Sequence, residues 1–173
     1  MAAIMPSSMS TVFNFTFVPW FRSVAPYIHK FRQQTFVVGI TGEAIAAGKL
    51  QSIVQDLAMI QAMGVKIVLV HGFRPQVNEQ LRLKNHEPQY AAGMRITDSI
   101  ALDCAQEAAG QLRYEIEAAF SQGLPNTPMA GARVRVMSGN FLTARPVGIV
   151  DGVDFQHTGL VRKVDVEGIR RAL

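Results

Sequence analysis

The feature that most constrains the fold of this chain is a strand pattern, a helix pattern and a second strand pattern in immediate succession. Thr35 to Ile40 is a short β-branched run with the composition of a buried strand. Leu50, Ile53, Val54, Leu57 and Ile60 then share one helical stripe, and Gly64 follows as a natural helix stop. Val65 to Val70 is apolar throughout apart from Lys66, which suits a strand covered on both faces, as in parallel sheets. Two such strands joined through one helix make a βαβ unit, whose crossover is right-handed. The pattern predicts an α/β fold: a mostly parallel sheet with helices on both faces.

The remaining elements are read around that unit. Pro75 to Lys84 is predicted as a helix with proline in the favoured first position, and Asn85 to Ala92 as a loop. Thr97 is expected to cap a long helix reaching about Ser121, with Ile100, Cys104, Ala108, Leu112 and Ile116 on one stripe. Gly123 to Pro128 reads as a turn-rich linker. Ala132 to Met137 alternates like a strand, with Arg133 and Arg135 on one face and Val134 and Val136 on the other. Val147 to Val150 reads as another short strand. Asp165 is expected to cap a last helix, and a chain ending inside that helix, on Arg170-Arg171-Ala172-Leu173, is expected to be truncated.

Upstream, residues 19–33 are predicted as a helix, with Phe21, Val24, Ile28 and Phe31 on one face and Pro26 interrupting it. Residues 1–18 are rich in Ser, Thr, Met and Phe and carry no basic residue. That makes a poor targeting signal, and a disordered tail is expected.

Composition narrows the function classes. With 49% hydrophobic and 17% charged residues over 173, the chain can bury a sizeable single-domain core, covering residues 34–173. No apolar run approaches the roughly 20 residues of a membrane span, so no membrane partner is expected. The one cysteine, Cys104, lies on an apolar stripe. It excludes an intramolecular disulfide and a multi-cysteine metal site, and fits a reducing, cytoplasmic setting. His29, His71, His86 and His157 have no metal-ligand spacing, so no metal is expected, and no serine, histidine and acid constellation suggests a catalytic residue. The net charge of +4 comes from scattered basic residues without aromatic interleaving, which speaks against nucleic acid. A solvated surface, or a basic groove for anionic ligands, accounts for it.

Two turns carry the strongest signal. Val37-Val38-Gly39-Ile40-Thr41-Gly42-Glu43-Ala44 follows the first strand, and His71-Gly72-Phe73-Arg74-Pro75-Gln76 ends the second. With them come Pro26-Tyr27-Ile28, Gly93-Met94-Arg95-Ile96-Thr97-Asp98, Ser138-Gly139-Asn140-Phe141 and Asp151-Gly152-Val153-Asp154, in that order. In this set, from about Trp20 to Leu173, the chain resembles the amino acid kinase family, with its carbamate kinase-like fold. It is most similar to the N-terminal part of the kinase-like domain of the bacterial N-acetylglutamate synthases.

In the family's kinases, the first strand ends in a lysine followed by paired glycines, and the second in a histidine followed by a glycine-rich run. Backbone N–H groups must approach phosphate oxygens, and a fixed cation must offset the charge developing on the transferred group. Here Gly39 stands where the lysine is expected, Thr41 replaces one glycine, and Phe73 and Arg74 replace glycines after His71-Gly72. Phosphoryl transfer is therefore expected to be lost. Gly39, Gly42, His71, Gly72 and Arg74 become degenerate phosphate-loop positions. They serve either as ordinary strand-to-helix turns or as a residual anion site helped by Arg74.

The resemblance implies further expectations. Arg95 lies in the stretch that contacts the substrate carboxylate in acetylglutamate kinases, a job that suits a guanidinium fork, although a structural role is equally open. Tyr27 lies in the N-terminal helix that, in arginine-regulated members, bears on the effector site and links dimers into a ring. The parent protein would transfer acetyl from acetyl-CoA to L-glutamate, the first step of arginine biosynthesis, under inhibition by L-arginine. The acetyltransferase chemistry would lie outside this chain: the nearest acetyl-CoA loop match, Gln156-His157-Thr158-Gly159-Leu160-Val161, fails at its last position. The segment itself would bind no cofactor and would be regulatory and architectural, within a homo-oligomer that is a dimer or a hexameric ring. An acetylglutamate kinase-like enzyme and a stand-alone amino-acid sensor remain the alternatives.

Overall fold

The computed structural model describes residues 7–122 and 134–173, with side chains from residue 17 onward in the first helix. Helix α1 (Ser7–Phe31) leads into strand β1 (Thr35–Ile40), a short helix α2 (Gly42–Ala46), helix α3 (Leu50–Ala62) and strand β2 (Lys66–His71). Helix α4 (Arg74–Leu83) precedes a hairpin of β3 (Gln89–Ala91) and β4 (Met94–Ile96), and then helix α5 (Ser99–Ser121). Strands β5 (Leu142–Pro146), β6 (Ile149–Val150), β7 (Val153–Asp154) and β8 (Gly159–Val164) and helix α6 (Val166–Ala172) complete the order.

The fold is α/β, and its parallel element is the pair β1–β2, in register from Thr35 opposite Lys66 to Ile40 opposite His71. The other pairs, β3–β4, β5–β8 and β6–β7, are antiparallel. Period-2 alternation puts Val38 and Ile40 of β1 on the same face as Ile67 and Leu69 of β2. Against that face pack Val54 and Leu57 of α3 and Leu112, Ile116 and Phe120 of α5. The opposite face carries Val37 and Val70, 70% and 54% exposed. Each fully buried Leu or Val of this layer contributes about 1.5–3 kcal/mol.

The long helix buries its predicted stripe at Cys104, Ala108, Leu112 and Ile116, but Ile100 is 44% exposed. In that first turn the side chain facing α4 is Ala101, 3% exposed, one position round the helix from Ile100. A second cluster, Val77 and Leu81 of α4 against Ala101, Cys104 and Ala108 of α5, fastens α4 to that helix.

Several expectations are corrected. Helix α1 begins at Ser7, so the stretch expected to be a disordered tail is largely helical; no glycine or proline stands between Ser7 and Val18 to stop it. It also runs through both Pro19 and Pro26. The cap of α5 is Asp98, not Thr97: the Asp98 carboxylate accepts from the Ala101 amide at 2.8 Å. The Thr97 hydroxyl is already engaged with that of Thr158 at 2.8 Å. Val134 to Met137 belongs to no ladder, although Val134 and Val136 do turn toward the core while Arg135 is exposed. Alternation there reflects one-sided burial, not strand pairing. Gln89 to Ala91, expected in a loop, is a strand. Asp165 does cap the last helix, accepting from the Gly168 amide at 3.0 Å. The Gly123 to Pro128 linker and Arg133 lie outside the described residues.

Candidate functional site

The two turns singled out in the sequence meet in space. Gly72 donates its amide to the Ile40 carbonyl at 2.8 Å, so the chain leaving β2 runs beside the chain leaving β1. Gln76, in the first turn of α4, donates through Nε2 to the Gly42 carbonyl at 3.1 Å. At Gly42 a Cβ would stand 2.7 Å from Pro75 Cδ and 3.1 Å from the Phe73 nitrogen. Gly42 is thus required by the approach of the second turn. A Cβ on Gly39, in contrast, would meet nothing within 4 Å.

Beside this junction, a cavity of about 370 Å³ opens between α4 and the β3–β4 hairpin, with Gly72, Phe73, Arg74, Tyr90, Arg95 and Thr97 on its walls. The hairpin turns through Ala92 and Gly93, both in the left-handed region at φ 48° and 76°. That turn folds Tyr90 and Arg95, cross-strand partners, onto α4. The guanidinium carbons of Arg74 and Arg95 lie 4.8 and 5.0 Å from the centre of the Tyr90 ring, within cation–π range. The Tyr90 hydroxyl donates to Asn78 Oδ1 at 3.1 Å, and Arg95 donates to the same oxygen through Nη2.

Burial is the largest single influence on the Tyr90 hydroxyl and pushes it up. Hydrogen bonding with Arg74 and Asn78 and the charges of Arg95 and Arg74 together outweigh burial and hold it below its ordinary value. Among the described residues, neither guanidinium forms an ion pair, and Arg95 Nη1 is buried without a hydrogen-bond partner. The floor is held from below by Thr158, whose hydroxyl donates to the Arg95 carbonyl at 2.6 Å. His157 donates its amide to the Thr97 carbonyl at 2.9 Å. The segment that faintly matched an acetyl-CoA loop is therefore a clip between the β5–β8 ribbon and β4.

Of the residues singled out in the sequence, Gly72, Arg74 and Arg95 meet at the cavity, and Gly42 packs directly behind Gly72. His71 ends β2, with a buried Nδ1 that has no partner among the described residues. Gly39 is on the outer face of β1, and Tyr27, 64% exposed on α1, does not line the cavity. Sequence reasoning missed Tyr90 and Asn78. The Gln89-Tyr90-Ala91 alternation running into Ala92-Gly93 was the available hairpin signal.

Among the described residues, no carboxylate, lysine or histidine lines the cavity, and its cations suit an anion. Among the described residues, no group of His, Cys, Asp and Glu can hold a metal ion. No helix of the described residues is long and apolar enough to cross a membrane.

Residues 34–173 match the model of the amino acid kinase family. The chain belongs to that family. Its relatives place this kinase-family segment within longer proteins. It is 63% identical over 157 residues to an amino-acid acetyltransferase of Ralstonia nicotianae, covering 91% of this chain and 35% of that protein. It is 47% identical over 157 residues to an amino-acid acetyltransferase of Ectopseudomonas mendocina, covering 91% and 36%. Among solved structures it is similar to N-acetylglutamate synthase from Neisseria gonorrhoeae complexed with coenzyme A and L-arginine. That match has 36% identity and a TM-score of 0.76, over 91% of this chain and 37% of that one. The same enzyme complexed with coenzyme A and N-acetyl-glutamate matches at the same identity and TM-score. The chain thus spans about a third of the length of the relatives it matches.

Proposed function

We propose that this chain is the N-terminal, regulatory and architectural part of an N-acetylglutamate synthase. The whole protein transfers acetyl from acetyl-CoA to the α-amino group of L-glutamate, the opening step of arginine biosynthesis, and is inhibited by L-arginine. One observation carries the reading: a segment 63% identical to an amino-acid acetyltransferase occupies only 35% of that protein's length and has a glycine at the lysine position of the kinases. Acetyl transfer then belongs to the remainder of the protein, and this segment contributes assembly and the response to effector.

Two features of the segment support that division. The cavity between α4 and the β3–β4 hairpin has cationic walls, with Arg74 and Arg95 and, among the described residues, no carboxylate, lysine or histidine. Helix α1 exposes Trp20, Phe21 and Tyr27 at 58%, 46% and 64%, an apolar surface suited to contact with a second copy. An effector that acts at a distance must bind two states of the protein with different affinity.

The test is an assay of the full protein with acetyl-CoA and L-glutamate, with and without L-arginine, beside an assay with ATP and N-acetylglutamate. The reading expects acetyl transfer, its inhibition by arginine, and no phosphoryl transfer. Phosphorylation of N-acetylglutamate would replace it with a divergent kinase. Arginine binding without any acetyl transfer would leave a sensor.

A further inference from the structure

We propose that His86 and Asp98 form a proton-sensitive latch at the base of the β3–β4 hairpin, which fixes that wall of the cavity more firmly when the imidazole takes up a proton. The inference goes beyond the acetyl-transfer reading and holds whatever reaction the whole protein performs.

The hairpin is a loop closed at its root. His86 follows α4, Asp98 precedes α5, and residues 87–97 between them form the hairpin and its flanks. His86 donates through Nε2 to Asp98 Oδ2 at 2.8 Å, while Oδ1 of the same carboxylate accepts from the Ala101 amide at 2.8 Å. One carboxylate therefore both starts α5 and ties it to the end of α4. The backbone of His86 is pinned as well. Asn85 turns through the left-handed region at φ 53°, and the His86 amide donates to the Leu81 carbonyl at 2.9 Å, a Schellman closure of α4. The imidazole is thus presented from a fixed helix end, and losing its bond frees the chain beyond it rather than α4.

The two strands of the hairpin are held differently. On the β4 side, the Thr158 hydroxyl donates to the Arg95 carbonyl at 2.6 Å and meets the Thr97 hydroxyl at 2.8 Å, and neither bond titrates. The β3 side is reached through His86. Pro88, with its fixed φ, stiffens the short lead into Gln89, and Tyr90 in the middle of β3 carries the restraint to the cavity wall.

Imidazole is the side chain whose charge changes nearest neutral pH, and a hydrogen bond between ions is stronger than one from a neutral donor. The side chains of His86 and Asp98 are 26% and 30% exposed, so water screens the pair only in part. The other charges on the elements that meet here are engaged elsewhere or exposed. Lys84 pairs with Glu107 of α5 at 2.9 Å, and Arg82 with Glu79 of α4 at 2.6 Å. Arg95 of the hairpin is held by Asn78 and the Tyr90 ring, and Glu87 and Asp103 are exposed. Among the described residues, Asp98 is the carboxylate paired with His86. Protonation adds a charge to that bond, so the latch is tightest below neutral pH and slackens as pH rises.

The test is amide hydrogen exchange on the full protein, read as protection over the intrinsic exchange rate. Residues 87–97 report the hairpin, and α3, in the other core cluster, serves as the internal reference that separates local from global loosening. Protection of the hairpin relative to α3 should fall about two- to fivefold as pH rises from about 5.5 to about 7.5. His86→Gln keeps a donor but carries no charge, so it should remove that dependence. His86→Ala should lower the relative protection at about pH 5.5 by about two- to tenfold, the range of one hydrogen bond. Relative protection that stays level or rises with pH, or that falls equally in His86→Gln, overturns the proposal, as does undiminished protection in His86→Ala.

Discussion

Gly42 and Gly72 touch through their backbones: a Cβ on Gly72 would lie 3.1 Å from the Gly42 nitrogen. Each makes room for the other's turn. Gly42→Ala should therefore force Pro75 and the Phe73 backbone to move, at a cost of roughly 1–3 kcal/mol. Gly39→Ala, facing open space, should change stability by no more than about 0.5 kcal/mol. Thermal unfolding of the two variants side by side checks the contrast. Equal midpoints would remove the packing explanation for Gly42.

Asp98 should be the more important of two adjacent polar residues at the start of α5. Its side chain accepts from the Ala101 amide at 2.8 Å and from His86 Nε2 at 2.8 Å. Asp98→Ala is expected to cost about 0.5–2 kcal/mol, in the range of lost helix caps. The Ala101 amide is the chief influence holding this carboxyl below its ordinary value, against the opposing effect of burial and with help from His86. A depressed folded pKa means the contribution is fully present above the unfolded value of about 3.9 and is lost as pH falls through the lower folded value. Asp98→Asn keeps a cap but should flatten that acid limb in a pH series of denaturant melts.

Tyr90 offers a spectroscopic check on the charge around the cavity. Removing Arg74 takes away a hydrogen bond and a positive charge that favour the phenolate, so Arg74→Ala should raise the pH at which Tyr90 ionises. Ultraviolet titration at the tyrosinate band measures it, with Tyr90→Phe as the subtraction control. A fall in that pH would mean that the arginine does not face the ring in solution.

Phe155 is 1% exposed and donates its amide to the Gly148 carbonyl at 3.1 Å, holding the β6–β7 ribbon to a buried anchor. Phe155→Ala should cost about 3–5 kcal/mol, the range for aromatic truncation in a core. At about 2–4 °C per kcal/mol for a chain of this size, a drop of several degrees or more in unfolding midpoint is expected.

The exposed apolar face of α1 makes assembly testable. Trp20→Ser with Phe21→Ser should lower the mass of the full protein in multi-angle light scattering if α1 links copies, and leave it unchanged if the helix only packs on its own domain.

The parallel unit was legible because its signal is local. A β-branched run, a helical stripe and a second apolar run each announce their own period, and β1, α3 and β2 fall within a residue or so of where those periods put them. The stripe of α5 was equally legible from Cys104 to Ile116. The β5–β8 ribbon and the β3–β4 hairpin were not. The hairpin strands are three residues each, too short for the Gln89-Tyr90-Ala91 alternation to stand out, and β5 and β8 are exposed along their length, so no buried face marks them.

At the candidate site, the order of residues determined that no lysine stands between Val37 and Ala44, that Arg74 follows His71-Gly72-Phe73, and that Arg95 follows Gly93 by two positions. Those are facts of the chain itself. Only the tertiary structure decided that Thr97 yields the cap of α5 to Asp98, because Thr158, distant in sequence, claims its hydroxyl. Only it brought Tyr90 between the two arginines and left one arm of Arg95 buried without a partner. The physical reason is the same in both cases. Secondary structure follows from the spacing of neighbours along the chain, whereas burial, charge and hydrogen-bond partnership are set by residues that meet only once the elements have packed.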